Sequence, residues 1–206
     1  MKHTNYIHPT AIIGESVVLG TDNYIGPYCF ITGDTVIGNG NRFEAYCSIG
    51  TAAEHWDYFK TNSGVTIIGN DNIFREFTTV NAGTKDPTIV SNNVTMLRNS
   101  HVGHDSFIEK SVTLSCNVLI GGHSLVMEGV NFGLGSICHQ FSVIGAYSMI
   151  GMGSVVTKSS NITPGNIYIG SPAKLLKPNT IGLERNNIDD VKLTELNERY
   201  NSHVKI

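Results

Sequence analysis

A bulky apolar residue returns at every sixth position along most of the chain, and this regularity leaves few folds open. Ile7, Ile13, Leu19, Ile25, Ile31, Ile37, Phe43 and Ile49 keep the spacing. It breaks, resumes at Ile68, Phe74 and Val80, and breaks again. It then runs from Val90 through Met96, Val102, Ile108, Leu114, Ile120, Val126, Phe132, Cys138, Ile144, Ile150 and Val156 to Ile162. An amphipathic α-helix needs apolar residues three and four apart, a pattern absent before Lys174. A period of six, with β-branched residues on the repeat and Gly or Asn between, describes short strands joined by tight turns in a parallel β-helix. The 22 glycines suit a chain that turns often, and positions of positive φ are expected to fall on Gly and Asn.

The repeat resembles that of the hexapeptide-repeat acyltransferases, which implies an all-β, left-handed parallel β-helix. Handedness comes from the resemblance alone, since parallel crossovers are ordinarily right-handed. In that family three hexapeptides close one triangular coil, so residues 18 apart stack about 4.8 Å from one another. The 24 positions above then make about eight coils. The expected organisation is a β-helix over 1–178, with loops near 51–64 and 82–87. An extension over 179–206 follows, with one short helix in DDVKLTELNERYN.

Composition removes several kinds of function. Charged residues make up 15% of the 206 and nearly cancel, at a formal net charge of −3, so no basic face for nucleic acid stands out. No stretch approaches the roughly 18 apolar residues of a membrane span, and the first residues, MKHTNYIHPT, hold no long apolar run. A cytoplasmic protein is expected, without membrane insertion. Cys29, Cys47, Cys116 and Cys138 form no CxxC pair, which favours reduced, packed thiols over a disulfide framework or a zinc knuckle.

The segment NSHVGHDS, Asn99 to Ser106, places His101 and His104 three residues apart with Asp105 beside the second. On strand and turn these are not the helical i, i+3 pair that an HxxH metal motif needs. The 18-residue stacking relates Val102, Ile120 and Cys138, and so brings His101, His104 and Asp105, then Gly122 and His123, then His139 and Gln140, to one corner. If the two register breaks are loops, Val80 and Ile49 join the same column, and both loops leave the prism beside the histidines. A single histidine here would be an ordinary turn residue. Four of the eight converging with two extruded loops mark a candidate site. Spread over about 10 Å of stacked coils, without a nearby Glu, they make a poor zinc set, and no metal is expected.

HVGHD at His101 to Asp105, GGH at Gly121 to His123 and CHQF at Cys138 to Phe141 resemble the UDP-N-acetylglucosamine O-acyltransferases of lipid A synthesis. REFTTVNAGT, Arg75 to Thr84, and IGLERNN, Ile181 to Asn187, support this. The resemblance implies transfer of an acyl group, a 3-hydroxyacyl group by preference, from an acyl-carrier-protein thioester to a hydroxyl of UDP-GlcNAc or a close relative. No bound cofactor is implied, and the family is a homotrimer with sites between prisms. It implies His104 as general base, Asp105 as the carboxylate orienting it and the Gly122 amide as oxyanion donor. His101, His123, His139 and Gln140 correspond to substrate contacts, Arg185 to a diphosphate partner and Asn179 to a uridine-side contact. Met152 falls where the family sets its acyl-chain ruler, and its bulk favours a shorter chain than glycine would. Asp57 and Lys60, in the first loop, could approach the sugar. The chain departs from the family in its short C-terminus and in Asn186, where the family has a second arginine.

A second enzyme reading is a coenzyme A-dependent N- or O-acetyltransferase acting on a nucleotide-linked amino sugar. GSPAKLLKP, Gly170 to Pro178, resembles the closing segment of such enzymes. A non-enzymatic scaffold, or a relative of the metal-dependent carbonic anhydrases, is the third; zinc content and carbon dioxide hydration would expose it.

Overall fold

The structure, a computed structural model, describes residues 4–58 and 64–204. Short strands from Tyr6–Ile7 to Val155–Val156 pass in rotation through three sheets of ten, eight and seven strands. Pairing is parallel and, away from the insertions, joins residues 18 apart, as in Tyr6 with Tyr24 and Val102 with Ile120. The architecture is thus the parallel β-helix that the six-residue period implied. It is somewhat longer than the apolar count gave. Asn166–Ile169 extends the ten-stranded sheet, and its Tyr168 is buried in the prism beyond Ile162.

From Tyr24–Ile25 onward each two-residue strand buries its second residue, because successive side chains on a strand point to opposite faces; in the first coil Ile7 is exposed. Ile25, Phe43, Phe74, Val102, Ile120 and Phe132 are fully buried, and Phe43 stacks on Phe74 at 4.6 Å between ring centres. Buried asparagines tie successive coils along one edge. Asn41 donates its amide to Asn23 Oδ1 at 2.9 Å, and Asn72 donates to Asn41 Oδ1 at 3.0 Å.

Eight glycines, among them Gly33, Gly135 and Gly153, take positive φ as expected, but others serve a second purpose. Gly26 and Gly38, just after inward isoleucines, do not have positive φ; a Cβ there would meet Phe43 O at 2.9 Å and Gly69 O at 2.6 Å. They permit close stacking of coils. Positive φ falls two residues later, on Tyr28, Tyr46, Phe77, Asp105 and His123 as readily as on Gly135.

Val80 pairs with both Ile49 and Val102, so both insertions leave one sheet, as the register implied. The ladder is irregular between Val80 and Asn81, where the second insertion departs. The tail holds two helices where one was expected. Lys174–Pro178 first folds back antiparallel on Asn166–Ile169. Helix α1 (Thr180–Arg185) then starts at Asn179, whose Oδ1 accepts from the Gly182 amide at 3.2 Å, and ends before Asn187 in the left-handed region. Six residues with an internal glycine give too little periodicity to be read from sequence. Helix α2 (Asp190–Val204) is the expected one, begun by Asp189 Oδ1 accepting from the Lys192 amide. It buries Leu196 and Tyr200 with Met127 and Ala146 on the prism, and Arg199 bridges to Glu109 at 2.6 Å. Among the described residues no helix is long and apolar enough to cross a membrane.

Candidate active site

Strands His101–Val102, Leu119–Ile120 and Ile137–Cys138 lie in register, so the turns after them stack at one corner. His104, Gly122 and Gln140 occupy one row of that corner; Asp105, His123 and Phe141 occupy the next, all three at φ near +60°. The four predicted histidines therefore share a corner without sharing a position. His101 sits on its strand, His139 is the first turn residue of its coil, His104 the second and His123 the third. Three of them, His101, His104 and His139, border one open groove of about 370 Å³, lined also by Gln140, Gly122, Leu119 and Ile137.

His104 is nearly buried, its side chain 11% exposed, and its Nδ1 lies 2.5 Å from Asp105 Oδ2. A carboxylate can only accept, so Nδ1 carries the hydrogen and Nε2 keeps its lone pair. The Asp105 side chain is covered from solvent and held from the other side by the second insertion. Its Oδ1 accepts from the amides of Thr84, Lys85 and Asp86 at 2.8–2.9 Å, and its Oδ2 accepts from the Thr84 hydroxyl at 2.8 Å. Burial alone would raise its pKa. The hydrogen bonds from His104 and from those three amides outweigh burial and hold the carboxyl well below the usual range. The carboxylate is thus ionised and aimed.

The His123 ring stands across that of His104, 5.0 Å away at 87°, and stacks on Phe141 at 4.5 Å. His101 Nδ1 meets the Thr79 hydroxyl at 2.8 Å. Burial, assisted by His104 and opposed by Glu54, keeps the His101 pKa below the ordinary imidazole value. His139 is exposed at the mouth, its Nδ1 donating to the Gln140 carbonyl at 2.8 Å. Gly122 lines the groove beside this cluster. Its neighbours Gly121 and His123 donate to Cys138 and His104 carbonyls, while the Gly122 N–H has no acceptor among the described residues. A Cβ on Gly122 would stand 3.0 Å from His104 Nε2 and Cε1 and equally close to the His104 carbonyl oxygen, and Gly122 lacks positive φ, so Gly122→Ala acts through contact with the His104 ring and backbone. Its expected result is a fall in turnover of about tenfold or more in steady-state kinetics, as a displaced imidazole costs catalysis. Cys138, beside the groove, has its thiol pKa pushed up to about 11 by burial and supplies no thiolate near neutrality.

Three predicted residues lie elsewhere on this chain. Arg185, exposed and without an ion pair among the described residues, borders a separate cleft of about 350 Å³ with Lys177, Tyr147 and Asn131. Asn179 borders it too, but its side chain is committed to the fold, capping α1 and donating to the Tyr147 carbonyl at 2.9 Å. Met152, 73% exposed, is on the turn leading into Val155–Val156 and does not line the histidine groove. Asp57 lies in the first insertion, 3.8 Å from His55, and Lys60 lies outside the described residues. The sequence reading missed His55, whose ring centre is 6.0 Å from that of His104, and Glu54, which lines the groove. Both sit where the repeat is interrupted, so counting by 18 could not place them. His104, Asp105 and His123 also offer donor atoms within 4.8 Å of one another, a cluster able to approach a cation.

No protein-family profile matches the chain. The acyl-(acyl-carrier-protein)–UDP-N-acetylglucosamine O-acyltransferase of Xylella fastidiosa is 34% identical over 223 aligned residues, covering 97% of this chain and 83% of that protein. The protein of the same name from Agrobacterium fabrum is 34% identical over 136 residues, 65% of this chain and 49% of its own. In matches of that second kind the chain spans about half the length of the curated relative. Among solved structures, the UDP-N-acetylglucosamine acyltransferase of Francisella novicida superposes with a TM-score of 0.80 at 26% identity, over 94% of this chain and 78% of that one. The UDP-N-acetylglucosamine O-acyltransferase of Moraxella catarrhalis does so at 0.74 and 29%, over 94% and 82%.

Proposed function

Since the chain belongs to the UDP-N-acetylglucosamine O-acyltransferase family, we propose that it moves a 3-hydroxyacyl group from an acyl-carrier-protein thioester to a hydroxyl of UDP-GlcNAc or a close relative. The observation that carries this is the His104–Asp105 pair, whose ionised, clamped carboxylate leaves Nε2 as a base beside Gly122. A sugar hydroxyl has too high a pKa to attack unaided near pH 7, and imidazole can hold its proton briefly. The hydroxyl oxygen bonds to the thioester carbonyl carbon as its proton passes to His104 Nε2. The Gly122 N–H stabilises the resulting oxyanion. Collapse breaks the carbon–sulfur bond, and the proton passes from His104 to the departing sulfur. The groove offers no activated thiol, consistent with direct transfer.

His101, His123, His139 and Gln140 are proposed to hold sugar and acyl groups. Arg185 is proposed to bind diphosphate, with Lys177 beside it. Because that cleft and the histidine groove are separate on one chain, the proposal requires Arg185 from one copy to meet His104 of another, in a homotrimer. A cation at His104, Asp105 and His123 would compete with hydrogen bonds that already occupy both oxygens of Asp105, so acid–base chemistry is the better use of this cluster.

Incubation with UDP-GlcNAc and either a 3-hydroxyacyl-carrier-protein or acetyl-CoA tests the donor. Product is expected from the first alone; efficient use of acetyl-CoA would favour the acetyltransferase alternative. For the acyl chain, Met152→Gly is expected to shift preference toward longer donors by about tenfold or more, since one to two methylenes in an apolar slot are worth that much. Competition between donors of two lengths measures it, and an unchanged ratio removes Met152 from the ruler.

A further inference from the structure

The row of His104, Gly122 and Gln140 continues past the groove. Counting on by 18 reaches Lys158, and the bridge between Ile144 and Ile162 shows that the register holds through this last coil. Lys158 therefore lies two coils, about 10 Å, beyond Gly122. There the outer side of the corner opens into a second depression of about 370 Å³, bounded by Phe141, Lys158, Ser159, Ser160 and Asn161 of the prism and by His203 of α2. Phe141 joins it to the catalytic corner, because its ring stacks on His123, whose ring stands across that of His104.

The lining suits an anion. Lys158 and His203 are exposed, and among the described residues none that lines the depression carries a carboxylate. Hydrogen-bond accounting adds further donors. Thr157 Oγ1 lies 3.1 Å from both Ser159 Oγ and Ser160 Oγ, and these hydroxyls have no other acceptor among the described residues. Three hydroxyl hydrogens serve two such contacts, so at least one is left to donate outward. The Tyr200 hydroxyl donates to Asn161 Oδ1, which leaves Asn161 Nδ2 without an acceptor among the described residues. On the side of the earlier coils the groove is lined instead by Glu54, which repels an anion.

We propose that this depression receives the phosphodiester of the donor's pantetheine arm, with Lys158 as its principal cation. That assignment rests on the acyltransferase reading above. With the thioester carbonyl at Gly122, the two ends of the donor leave the corner on opposite sides. The acyl chain follows Leu119 and Ile137 on the sheet of His101, and the arm passes Phe141 toward α2. A phosphodiester is permanently charged, so charge-assisted hydrogen bonds from Lys158 and its neighbours add affinity that the amides of the arm do not supply.

The test compares two small donors, 3-hydroxyacyl-phosphopantetheine and 3-hydroxyacyl-pantetheine, which lacks the phosphate, in the wild-type protein, Lys158→Ala and Lys158→Arg. The wild type is expected to show a KM about tenfold lower for the phosphorylated donor, the usual scale of a hydrogen bond between charged groups. Lys158→Ala should abolish that advantage by raising the KM of the phosphorylated donor alone, and Lys158→Arg should restore most of it. Equal KM values for the two donors in the wild type overturn the assignment, as does a loss in Lys158→Ala that falls on both donors alike. A loss seen only with the intact carrier protein also overturns it, since Lys158 then touches the carrier and not the phosphate. Calorimetric binding separates the site from the reaction. If the wild type binds the phosphorylated donor about tenfold more tightly than the other, loses that margin in Lys158→Ala, yet transfers no acyl group, the site stands and the reaction assignment fails. If it neither discriminates nor transfers, both fall.

Discussion

Replacing His104 by alanine is expected to lower kcat for acyl transfer by about 10²- to 10⁴-fold, the usual contribution of a positioned general base, while UDP-GlcNAc binding changes only a few-fold. The reason is local. Among the described residues, His104 presents the one nitrogen at this corner whose lone pair is fixed by a carboxylate on the opposite side of its ring, and that nitrogen adjoins Gly122. His123, across from it, has its Nε2 3.8 Å from Asp105 Oδ2, beyond hydrogen-bond range, and its ring held flat on Phe141. It cannot take over without turning away from Phe141. Single-turnover kinetics with saturating donor would read the loss directly. Binding measured by calorimetry would show that the groove survives, and retention of more than about a tenth of wild-type turnover would remove His104 from the base role.

The second large effect belongs to Asp105, and its two substitutions should separate orientation from architecture. Asp105→Asn keeps the size of the side chain but can place an N–H₂ where Oδ2 now accepts from His104. The imidazole must then expose its lone pair at Nδ1 and carry hydrogen on Nε2, the wrong form for a base, and kcat is expected to fall by about 10²-fold or more. Asp105→Ala goes further. It leaves His104, the Thr84 hydroxyl and the amides of Thr84, Lys85 and Asp86 without their shared acceptor, at a cost of about 3–5 kcal/mol in stability. The carboxyl pKa is depressed in the folded state, so its stabilising contribution is present above the ordinary value of about 4 and fades as pH falls through the lowered one. Thermal melts from pH 7 to pH 3 should therefore show the gap between wild type and Asp105→Asn narrowing on the acid side. A gap that stays constant would mean that the clamp adds nothing to the charged form.

Much of this was legible in the order of residues, for a physical reason. A hexapeptide coil turns sequence separation into spatial separation. Counting by 18 from Val102 to Ile120 to Cys138 places three strands in register, and the same count, corrected for two insertions, reaches Val80 and Ile49. His104, Gly122 and His123 could be brought together without coordinates for that reason. The arithmetic ends where the period ends. His55 and Glu54 lie inside an insertion, and the three amides that clamp Asp105 belong to backbone, which leaves no residue type to notice. Asn179 and Arg185 matched their motif, yet the fold puts them on a different cleft, and Asn179 spends its side chain starting α1. The glycines were read only in part, because a tight stack and a left-handed turn favour the same residue: Gly33, Gly135 and Gly153 take the turn, while Gly26 and Gly38 serve the stack.

In the proposed reaction one imidazole, held by a buried carboxylate, takes the proton of a sugar hydroxyl during direct transfer from a thioester. Intact masses of the nucleotide sugar and of the protein, recorded together after incubation with UDP-GlcNAc and 3-hydroxyacyl-carrier-protein, test it most directly. The expected result is UDP-GlcNAc heavier by one hydroxyacyl group as a hydroxylamine-sensitive ester, an unmodified protein chain, and almost no product from His104→Ala. An acyl group retained on the protein, or equal yields from the wild type and His104→Ala, would contradict it.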